Sequence, residues 1–293
     1  MLMFVLGSSG MLGQAIMKEA QKRNIKPTGL DLVNADIHLD ISDRLTLERI
    51  INEYRPDVVI NAAAITSLDY CDKHPENAYL INARPVAILA SICRELDIYL
   101  VQISTDHYFT GDGRGKHAED HAVTLVNEYA RTKFAGEQFA LTNSQALVIR
   151  TNIVGFRSQS ESPTFVEWVF RSLENQDVIT LFHDFFTSSI STQQFSYYLF
   201  ELITLRPKGI LNLASSEVTS KQEFIEKIAR KIDCSLDGYK VGSVNQFSGV
   251  RRADSLGLNV AKAENILQIS MPGLDEVVDC LISEYRGLKS GIC

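Results

Sequence analysis

Three side chains in the middle of the chain have types and a spacing that suit acid–base chemistry. Thr105 lies at the end of a β-type run, and Tyr129 and Lys133 follow it by 24 and 28 positions. Tyr129 and Lys133 are four residues apart in a stretch with helical spacing, which places both side chains on one helix face. A nearby ammonium favours phenolate and lowers the pKa of a tyrosine from its usual value of about 10 toward the range useful for proton transfer. We predict that Thr105, Tyr129 and Lys133 are catalytic, with the Thr105 hydroxyl holding the substrate oxygen beside the phenol.

A glycine-spaced segment near the start of the chain has the features of a dinucleotide-binding turn. It reads Gly7-Ser8-Ser9-Gly10-Met11-Leu12-Gly13, follows the apolar run 2–6 and precedes a helical stretch. Glycine permits a sharp turn and a close backbone approach to a phosphate. A helix N-terminus offers unpaired N–H groups and a positive dipole end to a pyrophosphate. We therefore predict that Gly7, Ser9, Gly10, Met11, Leu12 and Gly13 bind the cofactor.

An acidic residue after the second β-type run bears on the choice of cofactor. Asp31 lies 18 positions after Gly13, where a carboxylate can accept hydrogen bonds from an adenosine ribose and would repel a 2′-phosphate. No Arg or Lys occurs in 32–41, so the charge favours NADH over NADPH. NADPH stays open, because Ser8 and Ser9 could still bind a phosphate.

The segment from Asp40 to Asp43 has two interpretations. Asp40, next to Ile41, could accept a hydrogen bond from an adenine amino group, and we include both residues among the predicted cofactor contacts. Alternatively, Ser42 or Asp43 only caps the helix that follows. The residue types support both readings equally.

The elements that must position these residues alternate between short apolar runs and amphipathic stretches. The predicted strands are 2–6, 25–30, 58–62, 98–103 and 146–150, and the predicted helices between them are 11–23, 43–54, 76–96 and 127–141. Strands that are apolar throughout suit a parallel sheet covered on both faces, and the alternation predicts an α/β fold with a doubly wound sheet. At the end of the third run, Asn61, Ala62, Ala63 and Ala64 leave room for a flat cofactor.

The second half of the chain has a looser pattern. Helices are predicted near 163–175, 190–204, 219–232 and 274–286, and strands at 178–182 and 209–214. We predict a dinucleotide-binding domain over 1–150, to which the chain returns near 183–213, and a smaller substrate lobe formed mainly by 151–293.

Composition and charge exclude several classes of protein. The chain carries 29 Lys and Arg against 36 Asp and Glu, a formal charge of −7, which argues against a nucleic-acid binder with a general basic surface. No apolar run approaches the roughly 18 to 20 residues that span a bilayer, and the apolar start lacks a basic leader. Five scattered cysteines without a C-x-x-C pair favour a reducing compartment. We expect a cytoplasmic protein with a small-molecule substrate, without a membrane or nucleic-acid partner.

These motifs together resemble the extended short-chain dehydrogenase/reductases, and most closely the dTDP-4-dehydrorhamnose reductase group. The resemblance runs from residue 3 to about residue 284. It is carried by 7–13, by 61–64 with Thr66 and Asp69, by Ser104-Thr105-Asp106 and by 127–137, whereas 184–186, 211–215 and Arg251-Arg252 fit more loosely. Dimers are common in this family, although no feature of the sequence requires one.

The resemblance implies a Rossmann-type fold, NADH or NADPH as cofactor, and reduction of the 4-keto group of a nucleotide-linked 6-deoxysugar. It implies that hydride passes from the nicotinamide to the carbonyl carbon while Tyr129 donates a proton to the developing alkoxide. Lys133 would also hold the nicotinamide ribose. The predicted substrate-binding residues are Thr66, Thr105, Asp106, His107, Asn152 and Arg252, of which Arg252 suits a diphosphate because arginine matches phosphate with a planar fork.

The sequence departs from the group in the substrate region. The group usually reads Asp-Tyr-Val-Phe where this chain has Asp106-His107-Tyr108-Phe109, and a tryptophan common after Arg-Thr is absent after Arg150-Thr151. Gln14 follows Gly13 where some relatives have a metal-binding acid, so we predict no bound metal. These changes spare the catalytic trio and alter the sugar and nucleotide pocket.

Two alternative functions stay open. His107 lies two residues after Thr105, where the epimerase–reductases that make GDP-fucose carry a proton-transfer residue, so it could epimerise a carbon beside the ketone before reduction. The chain could also be a non-catalytic, dinucleotide-binding regulatory subunit, since the regulatory beta subunit of methionine adenosyltransferase resembles the same group. The intact Thr105, Tyr129 and Lys133 favour an enzyme.

Overall fold

The computed structural model describes residues 1–157, 163–236, 238–246 and 249–290. The chain divides into two compact units, each assembled from separate segments. The first unit comprises Met1–Thr105, Leu125–Arg150 and Ser196–Leu211, and the second comprises Asp106–Thr124, Thr151–Phe195 and Asn212–Cys293.

A seven-stranded sheet forms the centre of the first unit. Its strands are β1 (Met3–Leu6), β2 (Pro27–Asp31), β3 (Ile37–His38), β4 (Val58–Asn61), β5 (Tyr99–Ile103), β6 (Leu147–Arg150) and β11 (Gly209–Asn212). The spatial order is β11-β6-β5-β4-β1-β2-β3, and the pairs β1–β2, β1–β4, β2–β3, β4–β5 and β5–β6 are parallel. Every residue of β1, β4, β5 and β6 is buried, as expected for strands covered on both faces. The predicted doubly wound α/β fold is confirmed.

The strand order defines where this sheet would bind a ligand. The chain runs outward from β1 to β3 on one side and restarts with β4 on the other side of β1. In such sheets ligands bind outside the carboxyl ends of the strands, where the order reverses. The glycine turn after β1 and the alanines after β4 both lie at this place.

Seven helices of the described chain lie in the first unit, six of them wholly and α8 in part. They are α1 (Met11–Lys22), α2 (Arg44–Tyr54), α3 (Leu68–Lys73), α4 (Pro75–Asn82), α5 (Arg84–Glu95), α6 (Glu128–Leu141) and α8 (Thr192–Leu205). The single helix predicted over 76–96 is wrong, because the structure has α4 and α5 there with a break at Ala83. Pro85 has no N–H to continue the α4 ladder, and it lies instead in the first turn of α5, where that N–H is not needed.

Strands of two or three residues and longer helices make up much of the second unit. The strands are β7 (Ile153–Val154), β8 (Thr180–Phe182), β9 (Phe186–Thr187), β10 (Ile190–Ser191), β12 (Thr219–Ser220), β13 (Lys240–Gly242) and β14 (Ser255–Leu256). The helices are α7 (Phe165–Asn175), α9 (Lys221–Lys231), α10 (Ala261–Leu267) and α11 (Leu274–Ser290). Phe170, Phe224 and Val278 belong to one apolar core of this unit. No helix in the described ranges is both long and apolar enough to cross a membrane.

The two units differ from the predicted domains in the segment 106–124. This segment follows β5 but belongs to the second unit, and the return to the first unit is narrower than 183–213. Its partners explain the placement: His117 N donates to the Gly257 carbonyl at 2.9 Å, and Thr110 Oγ1 donates to Asp254 at 3.0 Å. These partners are more than a hundred residues away in the sequence, so local periodicity gives no sign of them.

The contact between α1 and the glycine turn leaves no room for a side chain at Gly13. A Cβ there would lie 2.1 Å from the Gly7 carbonyl oxygen and 2.6 Å from Ser8 Cα. Because both are backbone atoms, we expect Gly13→Ala to lower the free energy of unfolding by about 3 kcal/mol, at the upper end of overpacking costs. Urea unfolding followed by circular dichroism measures this loss.

Gly10→Ala is the matched control in the same turn. A Cβ at Gly10 has its nearest neighbour, the Gly7 oxygen, at 3.3 Å, so the cost is expected to stay below about 1 kcal/mol, the ordinary effect of Ala at an N-cap. Equal losses for the two variants would contradict the assigned packing.

Candidate active site

The turn between β1 and α1 requires glycine by conformation and by space. Gly7 has a φ of +79°, a region that side chains rarely adopt, and a Cβ there would lie 2.7 Å from Ala63 N. Gly10 N donates to the Gly7 carbonyl at 3.2 Å, and Gly10 is the N-cap of α1. The first amides of a helix have no partners within it, so this turn presents N–H groups at Met11 and Leu12 in the manner that a phosphate requires.

The Asp31 carboxylate contacts this turn directly. Its Oδ2 accepts hydrogen bonds from Ser9 N at 2.9 Å and from Ser9 Oγ at 2.7 Å, while Oδ1 accepts from Leu32 N at 2.7 Å. Two residues predicted to bind the cofactor are thus brought together across 22 positions of the chain. The negative charge of Asp31 lies at the end of β2, beside the turn.

The segment after β3 is occupied mainly by local contacts. Asp43 is the N-cap of α2 and accepts from Thr46 N at 3.2 Å, so it performs the capping role. Asp40 is exposed and accepts from Ser42 N at 2.8 Å and from Ser42 Oγ at 2.7 Å. Ile41 packs in the apolar core of the first unit. The adenine contacts of Asp40 and Ile41 stay predictions.

The end of β4 is braced by the Asn61 amide. Asn61 is buried, donates from Nδ2 to Gln102 Oε1 at 2.8 Å, and accepts at Oδ1 from Ala63 N at 3.2 Å. This side chain therefore fixes the backbone of the turn, on which Ala62, Ala63 and Ala64 are half-buried. The structure assigns Asn61 a positioning role that the sequence did not suggest.

The three predicted catalytic side chains all lie in the first unit and are buried. Thr105, Tyr129 and Lys133 are 4%, 8% and 5% exposed. Asn127 caps α6 by accepting from Ala130 N at 2.9 Å, which places Tyr129 in the first turn and Lys133 one turn further along. Lys133 Nζ donates to the carbonyl oxygen of Ile103 at 2.8 Å. Since Ile103 is the last residue of β5, this bond ties the helix that carries Tyr129 to the strand end that precedes Thr105.

The environment of Lys133 changes its titration. Burial lowers the pKa of the Lys133 ammonium to about 8, and the negative charge of Glu137 opposes that shift. The ammonium is therefore still mostly protonated at pH 7, the state that favours a phenolate at Tyr129.

A buried ion pair makes a second link between α6 and the sheet. Glu137 and Arg150 are 0% and 2% exposed, and Arg150 donates to the two Glu137 carboxylate oxygens at 2.9 to 3.2 Å. Ser104 Oγ also donates to Glu137 at 2.6 Å. The carboxylate thus joins the residue after β5, helix α6 and the end of β6. The sequence analysis missed Glu137 and Arg150, although a charged residue at the end of an apolar strand is a signal of a buried partner.

Helix α6 is also held by α4. Asn82 Nδ2 donates to Thr132 Oγ1 at 3.2 Å, and a Cβ at Gly136 would lie 2.6 Å from the Asn82 carbonyl oxygen. The Asn82 amide also pairs with both backbone groups of Ile65, at 2.8 and 3.0 Å. The next residue, Thr66, is exposed and follows a residue whose backbone is fixed by Asn82. Its substrate contact stays a prediction.

Two of the predicted substrate-binding residues, Asp106 and Asn152, meet in a polar row of the second unit. Asn152 Nδ2 donates to Asp106 Oδ2 at 2.7 Å, and Ser189 Oγ donates to Asn152 Oδ1 at 2.6 Å. Thr187 Oγ1 lies 3.0 Å from Ser189 Oγ. We call Asp106, Asn152, Ser189 and Thr187 the polar row.

His107 and Arg252 are electrostatically coupled in the same unit. Burial, together with the positive charges of Arg252 and Lys221, lowers the pKa of the His107 imidazole to about 4. The imidazole is therefore neutral at pH 7. A neutral imidazole can accept a proton, as the epimerase hypothesis requires, and that hypothesis stays open.

Lys221 is the basic residue near the polar row that the sequence analysis did not identify. Its Nζ donates to Ser189 Oγ at 3.5 Å and lies 4.4 Å from the centre of the Phe165 ring. Burial lowers the pKa of this ammonium to about 8, and the charge of Asp106 opposes the shift. A lysine at the first position of a helix, where the dipole favours acids, is a weak signal that could have found it.

These features define a short-chain dehydrogenase/reductase of the extended type. They are the doubly wound parallel sheet, the glycine turn after β1, and the tyrosine and lysine four residues apart on a helix that is hydrogen-bonded to β5. The chain belongs to the RmlD substrate-binding domain family, whose sequence profile matches residues 1–286. The family predicted from the sequence is thereby confirmed.

Individual relatives cover nearly the whole chain. The probable low-salt glycan biosynthesis reductase Agl14 of Haloferax volcanii is 28% identical over 99% of this chain and 100% of its own. The structure of a hypothetical dTDP-4-dehydrorhamnose reductase from Sulfolobus tokodaii is 30% identical, with a TM-score of 0.84, over 95% of this chain and 98% of that one. The dTDP-4-dehydrorhamnose reductase of Bacillus anthracis, in complex with NADP, shares the fold with a TM-score of 0.87 at 23% identity, over 97% and 99% of the two chains.

Glu137→Gln tests the buried ion pair. The amide keeps the shape of the side chain but removes the charge that neutralises the buried Arg150 guanidinium. Loss of one partner from such a pair costs about 3 to 5 kcal/mol, and we expect that decrease in the free energy of urea unfolding.

Ser104→Ala is the milder comparison, since it deletes one hydrogen bond to the same carboxylate and leaves the ion pair intact. Its expected cost is about 1.5 to 3 kcal/mol. A Glu137→Gln variant no less stable than Ser104→Ala would show that the charge pair is not what holds α6.

Proposed function

We propose that this protein reduces the 4-keto group of a nucleotide-linked 6-deoxysugar with a nicotinamide dinucleotide, in nucleotide-sugar or surface-polysaccharide biosynthesis. The observation that carries the proposal is the pair of links from α6 to the end of β5, from Lys133 to Ile103 and from Glu137 to Ser104. They hold the helix with the candidate proton donor beside the strand end with the candidate hydroxyl. The relatives named as a glycan biosynthesis reductase and a dTDP-4-dehydrorhamnose reductase support the same chemistry.

The first unit fits a dinucleotide at the carboxyl end of its sheet. Glycine at positions 7 and 13 lets this turn pack closely on backbone atoms of the chain, since a Cβ there would lie 2.7 Å from Ala63 N and 2.1 Å from the Gly7 oxygen. We assign the pyrophosphate to this turn and to the first amides of α1, with the remaining predicted contacts at Ser9, Gly10, Met11 and Leu12. The Asp31 carboxylate accepts hydrogen bonds from Ser9 N and Ser9 Oγ. We propose that ribose hydroxyls of the dinucleotide replace Ser9 as its donors. A bound nicotinamide supplies the hydride.

The chain's own residues supply orientation and the proton. The Thr105 hydroxyl holds the substrate carbonyl oxygen. Tyr129 donates its phenolic proton to that oxygen as negative charge develops on it. The Lys133 ammonium stabilises the resulting phenolate and, through its bond to Ile103, keeps Tyr129 in position.

We assign substrate recognition mainly to the second unit. The polar row carries Asp106 and Asn152, and the coupled pair His107 and Arg252 lies in the same unit. Arg252 is the proposed diphosphate contact, because its planar fork matches phosphate oxygens. We place the reaction in the cytosol, since none of the cysteines in the described ranges forms a disulfide.

Tyr129→Phe tests the reaction on a panel of nucleotide-linked 4-keto-6-deoxysugars, followed by absorbance at the nicotinamide band. We expect the wild-type protein to reduce at least one member of the panel. Loss of the proton donor is expected to lower kcat by about 10²- to 10⁴-fold, while the cofactor dissociation constant changes little, because the turn after β1 is untouched.

Tyr79→Phe is the matched control, since Tyr79 is 43% exposed on α4 and far in sequence from the trio. It should retain full activity. Activity of Tyr129→Phe equal to that of the control would refute the assignment of Tyr129 as the proton donor. A wild-type protein that binds the cofactor but reduces no member of the panel would support the alternative of a binding-only regulatory subunit.

The choice between NADH and NADPH is a separate prediction. Asp31 at the turn repels a 2′-phosphate, and 32–41 contains no Arg or Lys to attract it. We expect kcat/KM to be higher with NADH than with NADPH, and Asp31→Asn to narrow the difference by raising the NADPH value. Glu53→Gln, at an exposed acid of α2 that has no predicted site role, is the control. A wild-type preference for NADPH would overturn the assignment of Asp31.

A further inference from the structure

Lys221 holds a positive charge where several physical effects oppose it. The residue is 9% exposed, and burying an ammonium costs several kcal/mol unless it is well paired. It is the first residue of α9, so the positive end of the helix dipole acts against the charge. Burial and the helix dipole thus both disfavour the charged form of Lys221.

Only part of this cost is offset within the second unit. Nζ lies 4.4, 5.7 and 5.9 Å from the ring centres of Phe165, Phe224 and Phe185, an aromatic surround that favours an ammonium. The negative charge of Asp106 also favours the ammonium. Yet an ammonium has three donors, and among the described residues its one hydrogen bond is the 3.5 Å contact to Ser189. The head group therefore has donor capacity left for a ligand.

We propose that Lys221 is a sugar-recognition residue, which donates hydrogen bonds to ring hydroxyl oxygens of the nucleotide-linked sugar. This inference rests on the proposed function, because it names the part of that substrate that Lys221 contacts.

The surroundings of Lys221 favour a sugar over a diphosphate. Its hydrogen bond leads to Ser189, and from there the polar row runs through Asn152 to Asp106. Asp106 directly follows Thr105, the proposed holder of the keto oxygen. Alternating donors and acceptors beside phenylalanine faces suit a ring that has hydroxyls at its edge and C–H groups on its faces. Arg252 already offers the geometry that a diphosphate prefers.

Lys221→Met separates recognition from folding. Burial disfavours the charged form of a lysine, so replacing Lys221 by an apolar side chain of similar length should leave the melting temperature equal to or above that of the wild type. A lysine retained for structure would instead give a less stable variant. Lys240→Met, at an exposed position of the same unit, controls for a general loss of charge.

The deciding experiment is titration calorimetry with dTDP-rhamnose and with dTDP, which differ only in the sugar. We expect Lys221→Met to weaken dTDP-rhamnose binding by about tenfold, the effect of one lost charged hydrogen bond, and to change dTDP binding by less than about twofold. Lys240→Met should bind both as the wild type does. Lys221→Gln, a polar side chain of similar reach, gives the same comparison if the methionine variant does not fold.

Three results would overturn the proposal. Equal weakening of both ligands would place Lys221 at the diphosphate, unchanged binding of both would make it structural, and a wild type that binds dTDP-rhamnose no more tightly than dTDP would remove the sugar contact. Calorimetry needs no turnover. A protein that reduces no 4-keto sugar but loses sugar affinity in Lys221→Met would refute the proposed function and keep this inference.

Discussion

The arrangement of the first unit depends on one buried ammonium and the carbonyl oxygen it contacts. Lys133 Nζ and Gln102 Nε2 both donate to the Ile103 carbonyl at 2.8 Å, and Gln102 in turn accepts from Asn61. A single run of hydrogen bonds therefore connects the end of β4, the end of β5 and α6. Because a buried charge cannot be left without partners at low cost, α6 has little freedom to slide or rotate on the sheet. The Tyr129 phenol, one turn earlier on α6, is therefore held in position as well.

The second constraint on the same helix is electrostatic and equally costly to break. Glu137 is one turn beyond Lys133, and its carboxylate is shared by Arg150 and Ser104. Apolar residues of similar volume would hold the helix at least as firmly, since desolvation offsets much of the attraction in a buried ion pair. The Glu137–Arg150 pair instead fixes the position of α6 along β6, because its bidentate hydrogen bonds form in only one register of the two elements. The negative charge of Glu137 also opposes the lowering of the Lys133 pKa, so the same carboxylate supports both the position and the protonation of the ammonium.

Short-range patterns in the sequence were sufficient for the sheet, the glycine turn and the four-residue spacing of Tyr129 and Lys133, because each of these follows from local periodicity or from glycine conformation. They were insufficient where two distant segments share a polar contact. Arg150 was read as the end of a strand, and its partner on α6 became visible only in three dimensions. The cofactor contact of Asn61 stays a prediction, whereas the bonds of its amide to Gln102 and Ala63 are visible only in three dimensions. The break at Ala83 is different, because Pro85 is a local signal of a helix boundary. The prediction of one continuous helix gave too much weight to apolar spacing.

Lys133 and Lys221 show how the same residue type can be buried for different reasons. Burial lowers the pKa of each ammonium to about 8, but their partners differ. Lys133 has a carbonyl at 2.8 Å and a carboxylate one turn away, which account for its charge within the folded chain. Lys221 has a 3.5 Å contact to a hydroxyl and phenylalanine rings that cannot accept strong hydrogen bonds. Each lysine also has a carboxylate nearby, Glu137 for Lys133 and Asp106 for Lys221. Among the described residues the difference is the hydrogen-bond partner, a carbonyl at 2.8 Å against a hydroxyl at 3.5 Å, so a ligand is the simplest reason for an ammonium at position 221.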